Sequence, residues 1–238
     1  LIIFVPICSV CIFSYHTTFQ DAKEKISFFS SEIISKTSES IEQMAETLES
    51  ISIDIAYNDT LQDTLLQYDT LSEFERYQRE MEMTSICTKK LMQHASVTDV
   101  LALTEDQEPF RCYGDMSFRF RPSLFSLQQI HEKMEGRQAA SIYYPVNRSF
   151  ENRIFPEAEF DRGNGFVLCR KIKRAENGAE IGTLLIRVDE SQLQQEYSRL
   201  NLGEGSEFVI VNGEGQIFSS SSGDEPGTVC PELLDGRT

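Results

Sequence analysis

The chain lacks an excess of basic residues. Its 238 residues include 22 lysines and arginines against 38 aspartates and glutamates, which gives a formal net charge of −16. Nucleic acids and anionic lipid surfaces both require a basic binding surface. We therefore expect no nucleic-acid partner, and we interpret the acidity as a source of solubility.

The motifs of common catalytic and metal sites are also missing. The sequence contains no G-x-S-x-G elbow, no H-E-x-x-H pair and no P-loop, and its three histidines lie far apart. We predict no catalytic site, metal or cofactor in this chain. Outside the N-terminal segment four cysteines are scattered without C-x-x-C spacing: Cys87, Cys112, Cys169 and Cys230. One or two disulfides and buried free thiols both remain open for them.

The N-terminal segment is uncharged over about 14 residues, LIIFVPICSVCIFS. A complete membrane span needs roughly 20 apolar residues, so we interpret residues 1–16 as the outer end of a truncated transmembrane helix. A signal peptide and a lipoprotein anchor are the alternatives. This interpretation places the chain at the cell membrane, with the residues after about 16 outside the cytoplasm.

A long helix is predicted over residues 17–57, which contain neither proline nor glycine. Apolar residues recur there at alternating steps of three and four, which indicates one helical stripe. A helix of about 40 residues is about 60 Å long at 1.5 Å per residue. Such a helix suits a stalk that pairs with a second copy in a homodimer. An ordinary long helix packed on a core is the alternative.

The rest of the chain alternates between helical and strand patterns. Helices are predicted at 58–66, 71–94, 123–135 and 190–200. Strands are predicted at 97–103, 110–114, 139–146, 166–173 and 181–188, with a further hairpin at 207–211 and 216–220. This order of elements predicts an α+β fold, with a sensor module at 58–189, a connecting helix at 190–203 and a truncated second module at 204–238.

The stretch Glu180–Ser220, EIGTLLIRVDESQLQQEYSRLNLGEGSEFVIVNGEGQIFSS, resembles the junction between the two modules of double Cache sensor domains. The long helix and the segment Ser52–Leu65 resemble the same region of YesM-like sensor histidine kinases. The resemblance implies a PAS-like antiparallel sheet with a ligand pocket in the membrane-distal module, and a cytoplasmic kinase outside this chain. Because the chain has no tryptophan and no R-x-W-Y run, amino-acid recognition of the kind known in Cache domains is not expected.

The candidate ligand-binding residues are polar groups on otherwise apolar strands. Arg170 shares a strand face with Phe166, Leu168 and Ile172, where its guanidinium could hold a carboxylate. Pairing with an acidic side chain or reaching out to solvent is the alternative. Tyr113, Tyr143 and Tyr144 could stack on a sugar or an organic acid, or belong to the core. The resemblance places Arg119, Arg121 and Asp161 over the mouth of the pocket, and surface charge in loops is the alternative for each of them.

These observations predict the extracytoplasmic ligand-sensing region of a two-component sensor histidine kinase. The expected partner is a small molecule or a ligand-loaded solute-binding protein, and the long helix would carry the signal to the membrane. The same region on a chemotaxis receptor or a diguanylate cyclase is an alternative. A ligand-free, membrane-anchored adaptor is another.

Overall fold

The long N-terminal helix is confirmed. The structure is a computed structural model that describes residues 4–94, 96–114, 122–147, 164–198 and 207–230. The first helix, α1, covers Phe4–Ala56 without a break, so the apolar segment and the predicted stalk form one helix. Side chains from Phe13 to Phe29 are exposed, whereas Leu48, Ser52 and Ile55 are buried. Within the described part of the chain, no helix has an apolar stretch long enough to cross a bilayer.

Two helices follow, and both begin where capping side chains predict a helix start. In α2, Asp59–Gln67, the Asn58 side chain accepts the Leu61 N–H. A short 3₁₀ turn leads to α3, Glu73–Leu91, where Ser72 and Glu75 form a capping box. Such caps satisfy the backbone donors that the first helical turn leaves unpaired.

A five-stranded antiparallel sheet forms the centre of the molecule. Its strands are β1, Val97–Leu103; β2, Pro109–Tyr113; β3, Ser141–Val146; β4, Gly165–Lys173; and β5, Glu180–Asp189. Their order is β2-β1-β5-β4-β3, so β2 and β3 lie at the edges. Helix α4, Leu124–Arg137, lies between β2 and β3 in the chain, and the Ser123 hydroxyl caps its start by accepting the Ser126 N–H. The predicted α+β fold is thereby confirmed.

The sheet buries both of its faces. One face, here called the α1 face, packs with Leu48 and Ile55 of α1 and with buried residues of α2 and α3. The opposite face, the α4 face, packs with Leu127, Ile130 and Met134 of α4. Since side chains alternate along a strand, neighbouring residues of β3, β4 and β5 serve different cores.

A second, smaller unit is joined to the sheet through the end of β5. The Asp189 carboxylate accepts the Ser191 N–H at 2.8 Å, which confirms the predicted helix start there. Helix α5, Ser191–Ser198, leads towards a hairpin of β6, Val209–Val211, and β7, Ile217–Ser220. The hairpin contacts the sheet where the rings of Phe166 and Phe218 lie 6.1 Å apart.

Candidate functional site

Arg170 of β4 lies on the α1 face and contacts the long helix. Its Nη2 forms an ion pair with Glu49, and its Nε donates to the Ser52 Oγ at 2.6 Å. The Ser141 hydroxyl donates to the other Glu49 oxygen at 2.8 Å. Only 11% of the Arg170 side chain is exposed. Arg170 thus pairs with an acidic side chain, which was the alternative to ligand binding for this residue. The role of Arg170 in ligand binding stays a prediction.

Tyr143 belongs to the same contact between the sheet and α1. Its hydroxyl donates to the Ala45 carbonyl at 3.0 Å, and its ring lies 6.0 Å from that of Phe166. Burial, followed by the negative charge of Glu49, raises the pKa of the Tyr143 hydroxyl. The side chain is therefore a neutral hydrogen-bond donor that fixes β3 to the helix.

The predicted site residues do not all come together. Tyr113 packs against the core of the α1 face, as do Tyr143 and Arg170, whereas Tyr144 packs on the α4 face. The other three candidates, Arg119, Arg121 and Asp161, lie outside the described residues.

The α4 face carries a polar row formed by Asp99, Arg187 and Tyr144. Of these three, only Tyr144 was a predicted site residue. Asp99 of β1 and Arg187 of β5 are cross-strand partners, and the same register continues through Val167 to Tyr144. Asp99 is 3% exposed and Arg187 is 0% exposed. The Arg187 Nη1 donates to the Thr98 hydroxyl at 3.1 Å. Two oppositely charged side chains are thus buried side by side, although charged residues are rarely fully buried in proteins.

Gly114 allows the Asp99 carboxylate to lie where it does. A Cβ at position 114 would be 2.4 Å from the Asp99 Oδ1, and the residue has a φ of +135°. Only glycine adopts this backbone conformation without strain. In the chain, Gly114 comes directly before the segment 115–121 that holds two of the predicted arginines.

Tyr144 connects the polar row to α4. Its hydroxyl donates to the Gln129 side chain, and burial raises its pKa. Lys133, one turn further along α4, lies 5.4 Å from the Tyr144 ring centroid and donates to Gln216 at 2.7 Å. The row is therefore linked through α4 to the segment that joins β6 and β7.

The signal that would have revealed the row was present in the sequence. In residues 181–188 an arginine interrupts an apolar strand pattern, as Arg170 does in residues 166–173. Asp99 interrupts the pattern of residues 97–103 in the same way. Across residues 4–94, 96–114, 122–147, 164–198 and 207–230, no three His, Cys, Asp or Glu side chains are grouped to hold a metal ion.

No protein-family model and no curated protein matches this sequence. Among solved structures, the sensor domain of the Vibrio cholerae histidine kinase DctB is similar, with a TM-score of 0.50 and 15% identity over 80% of this chain. The chain spans 64% of the length of that domain. A domain of a putative sensory box/GGDEF family protein from Vibrio parahaemolyticus has a TM-score of 0.52 and 12% identity, covering 83% of this chain and 72% of its own.

The long N-terminal helix followed by a five-stranded antiparallel sheet matches the fold of these neighbours, which are Cache- and PAS-like sensor domains. At sequence identities of 15% and 12%, the similarity between this chain and these two domains concerns the architecture alone. The ligand-binding domain of the Campylobacter jejuni chemoreceptor Tlp3 in complex with L-valine has a lower similarity. Its TM-score is 0.47, with 14% identity over 87% of this chain and 72% of its own. The YesM-like and double-Cache assignments stay predictions.

Proposed function

We propose that this chain is the extracytoplasmic ligand-sensing region of a membrane receptor, with the ligand bound at the polar row of the α4 face. The observation that carries the proposal is the burial of Arg187 beside Asp99 on the sheet face that α1 does not contact. Ligand sites are concave and mostly apolar, with a few polar groups that fix orientation. The α4 face has that composition, because the rest of its core is apolar.

A small organic acid is the ligand class that best fits the row. A guanidinium binds carboxylates through two parallel hydrogen bonds, and Arg187 offers this group in an apolar setting. Asp99 can accept a hydrogen bond from a hydroxyl or ammonium group of the same ligand. Tyr144 adds an aromatic face and a hydroxyl. A sugar acid is within this class, and recognition of a ligand-loaded solute-binding protein is the alternative.

The signal would leave the site through β3. Its adjacent residues Tyr143 and Tyr144 lie on opposite faces of the sheet. The Tyr143 hydroxyl donates to the Ala45 carbonyl of α1, and the Tyr144 hydroxyl donates to the Gln129 side chain of α4. A ligand that shifts β3 or α4 would therefore shift the contact with the long helix. Such coupling requires that the ligand binds one arrangement more tightly than the other.

The test is a thermal-shift screen of small organic acids, sugars and amino acids. A ligand at about 100 times its Kd adds about 2.7 kcal/mol to the free energy of unfolding. We expect an organic acid to raise the melting temperature of the wild type but not that of a folded Arg187→Lys variant. The matched control is Arg174→Lys, in the β4–β5 turn, which should respond like the wild type. An undiminished response of Arg187→Lys to every ligand would contradict the site.

For the output, we propose a sensor histidine kinase, with the stalk continuing into a membrane span at residues 1–16. The parent protein purified in membranes should then autophosphorylate from ATP, and the ligand should change the rate. A chemotaxis receptor or a diguanylate cyclase would show no phosphohistidine. A membrane-impermeant maleimide applied to intact cells should label a cysteine introduced at the exposed Ser31 of a Cys230→Ser variant, which tests the extracytoplasmic location.

A further inference from the structure

A cavity lies on the α4 face, towards the opposite end of the strands from the polar row. Its volume is about 340 Å³, at the lower end of the range for small-molecule sites. It lies between α4 and the strand ends near the β1–β2 and β4–β5 turns. Leu185, which lines it, is two residues from Arg187 along β5, about 7 Å at about 3.3 Å per residue. The cavity therefore neighbours the proposed organic-acid site, but neither Arg187 nor Asp99 lines it.

The floor of the cavity is apolar. It is formed by five buried side chains from β1, α4 and β5: Leu103, Leu127, Ile130, Met134 and Leu185. The wall beside β1 is a hydrogen-bonded turn, in which the Gln107 N–H donates to the Thr104 carbonyl at 3.0 Å and the Glu108 N–H donates to the Thr104 hydroxyl at 3.1 Å. A turn with these bonds holds the wall in place before any ligand arrives.

The rim of the cavity is negatively charged. The Lys171 side chain is 13% exposed and forms an ion pair with Glu135. Its Nζ lies 3.1 Å from a carboxylate oxygen of Glu180. The hydrogen bond to Glu135, with a further one to Glu180, raises the pKa of the Lys171 ammonium above its usual value. With Glu105 the lining contains three carboxylates against the Lys171 ammonium and the His131 imidazole. An anion would meet this excess of negative charge, whereas a cation would compensate it.

We propose that this cavity binds a small organic cation, an ammonium group carried on one ring or a short alkyl chain. The apolar body would lie on Leu103, Met134 and Leu185, where burial of its surface would favour binding. The ammonium would donate to the Glu135 and Glu180 carboxylates, each of which accepts more than one hydrogen bond. Because both walls belong to elements that also contact the polar row, the two sites share α4 and β5.

The experiment is isothermal titration calorimetry with three probes of similar shape and different charge: phenethylamine, 2-phenylethanol and phenylacetate. We expect phenethylamine to bind with a Kd at least about tenfold lower than those of the other two, which corresponds to about 1.4 kcal/mol. The Glu135→Gln/Glu180→Gln double variant should weaken phenethylamine binding about tenfold or more, and both positions are exposed, so the fold should persist. Filling the cavity with Thr183→Phe should abolish binding.

The matched control is Glu176→Gln, an exposed glutamate of the β4–β5 turn that does not line the cavity. It should leave the Kd of phenethylamine unchanged. An equal loss of affinity in Glu176→Gln and in the double variant would show diffuse attraction to an acidic protein and would overturn the proposal. Equal affinities for the three probes, or no heat with phenethylamine, would overturn it as well. Arg187→Lys should not affect this binding, so its outcome is separable from that of the organic-acid site.

Discussion

Arg170 of β4 and Glu49 of α1 form an ion pair across the contact between the sheet and the long helix. The two residues are 121 positions apart in the chain. Their side chains are mostly buried, and the hydroxyls of Ser52 and Ser141 complete the hydrogen bonds around them. The pair is therefore a specific connection between the sheet and the long helix.

Breaking this pair should destabilise the protein. We expect Arg170→Met and Glu49→Ala each to lower the free energy of unfolding by about 1 to 3 kcal/mol, because each leaves a largely buried charged group without its partner. A double-mutant cycle by urea denaturation should give a coupling energy of about 1 kcal/mol or more. The exposed pair Arg174 and Glu176 is the control, with an expected coupling below about 0.5 kcal/mol. Additive effects at Arg170 and Glu49 would contradict a direct connection.

The thiols of the described cysteines should differ in reactivity. The structure has Cys87, Cys112, Cys169 and Cys230 as free cysteines, the first three buried, which agrees with the free-thiol alternative. Burial raises the pKa of Cys87 to about 12 and also raises the pKa values of Cys112 and Cys169. Since the thiolate is the reactive form, Ellman's reagent at about pH 8 should label only Cys230 of these four before unfolding. A cysteine that stays unlabelled after unfolding without reductant would reveal a disulfide.

The same buried thiols predict a loss of stability in alkali. The folded pKa of Cys87 is raised from 9.0 to about 12, so its contribution is fully present below pH 9 and is lost as the pH rises towards 12. Each such group lowers the free energy of unfolding by up to about 1.4 kcal/mol per pH unit in this range. Urea denaturation across this range should show the decline, with a shallower slope for Cys87→Ala. An unchanged slope in that variant would contradict the burial of the thiol.

Two glycines should respond in opposite directions to the same substitution. Gly182 of β5 has a φ of +157°, and a Cβ there would lie 2.2 Å from the Leu103 carbonyl oxygen. Gly182→Ala should therefore cost about 2 kcal/mol or more, since backbone atoms must move. A Cβ added at Gly136 in α4 would meet no other part of the protein within 4 Å, so Gly136→Ala should stabilise by about 0.5 to 1 kcal/mol. Thermal unfolding of the two variants measures these changes in stability. Equal changes in both variants would contradict this prediction.

The exposed half of α1 should hold two copies together. Phe19, Ile26 and Phe29 are exposed and lie on one helical stripe, which a second α1 could cover. Ile26→Glu should shift the protein from dimer to monomer in sedimentation velocity experiments. Phe28→Glu places the same charge away from this stripe and should leave the dimer intact. Equal effects of the two variants would indicate that the stripe is not the interface.

Local patterns in the sequence were sufficient for most of the fold. The strands at 97–103 and 181–188 follow from strand-like patterns, which are short-range.

The site was harder to predict because alternation shows which residues share a face but not which helix covers that face. Arg170 and Arg187 interrupt their strands in the same way, yet one contacts α1 and the other lies on the α4 side. The same holds for the neighbours Tyr143 and Tyr144. The pairing of Arg170 with a glutamate so distant in the chain is a tertiary contact that no local pattern contains.

The strand order of the sheet also bears on how copies of this protein avoid aggregating. Both outer strands carry a proline, Pro109 in β2 and Pro145 in β3. A proline has no N–H to offer an incoming strand, so continuous pairing of one sheet edge with another is blocked at both ends. In the proposed dimer, two sheets would lie at high local concentration. The prolines would disfavour pairing of their outer strands, so that association along the helix would not lead to sheet growth.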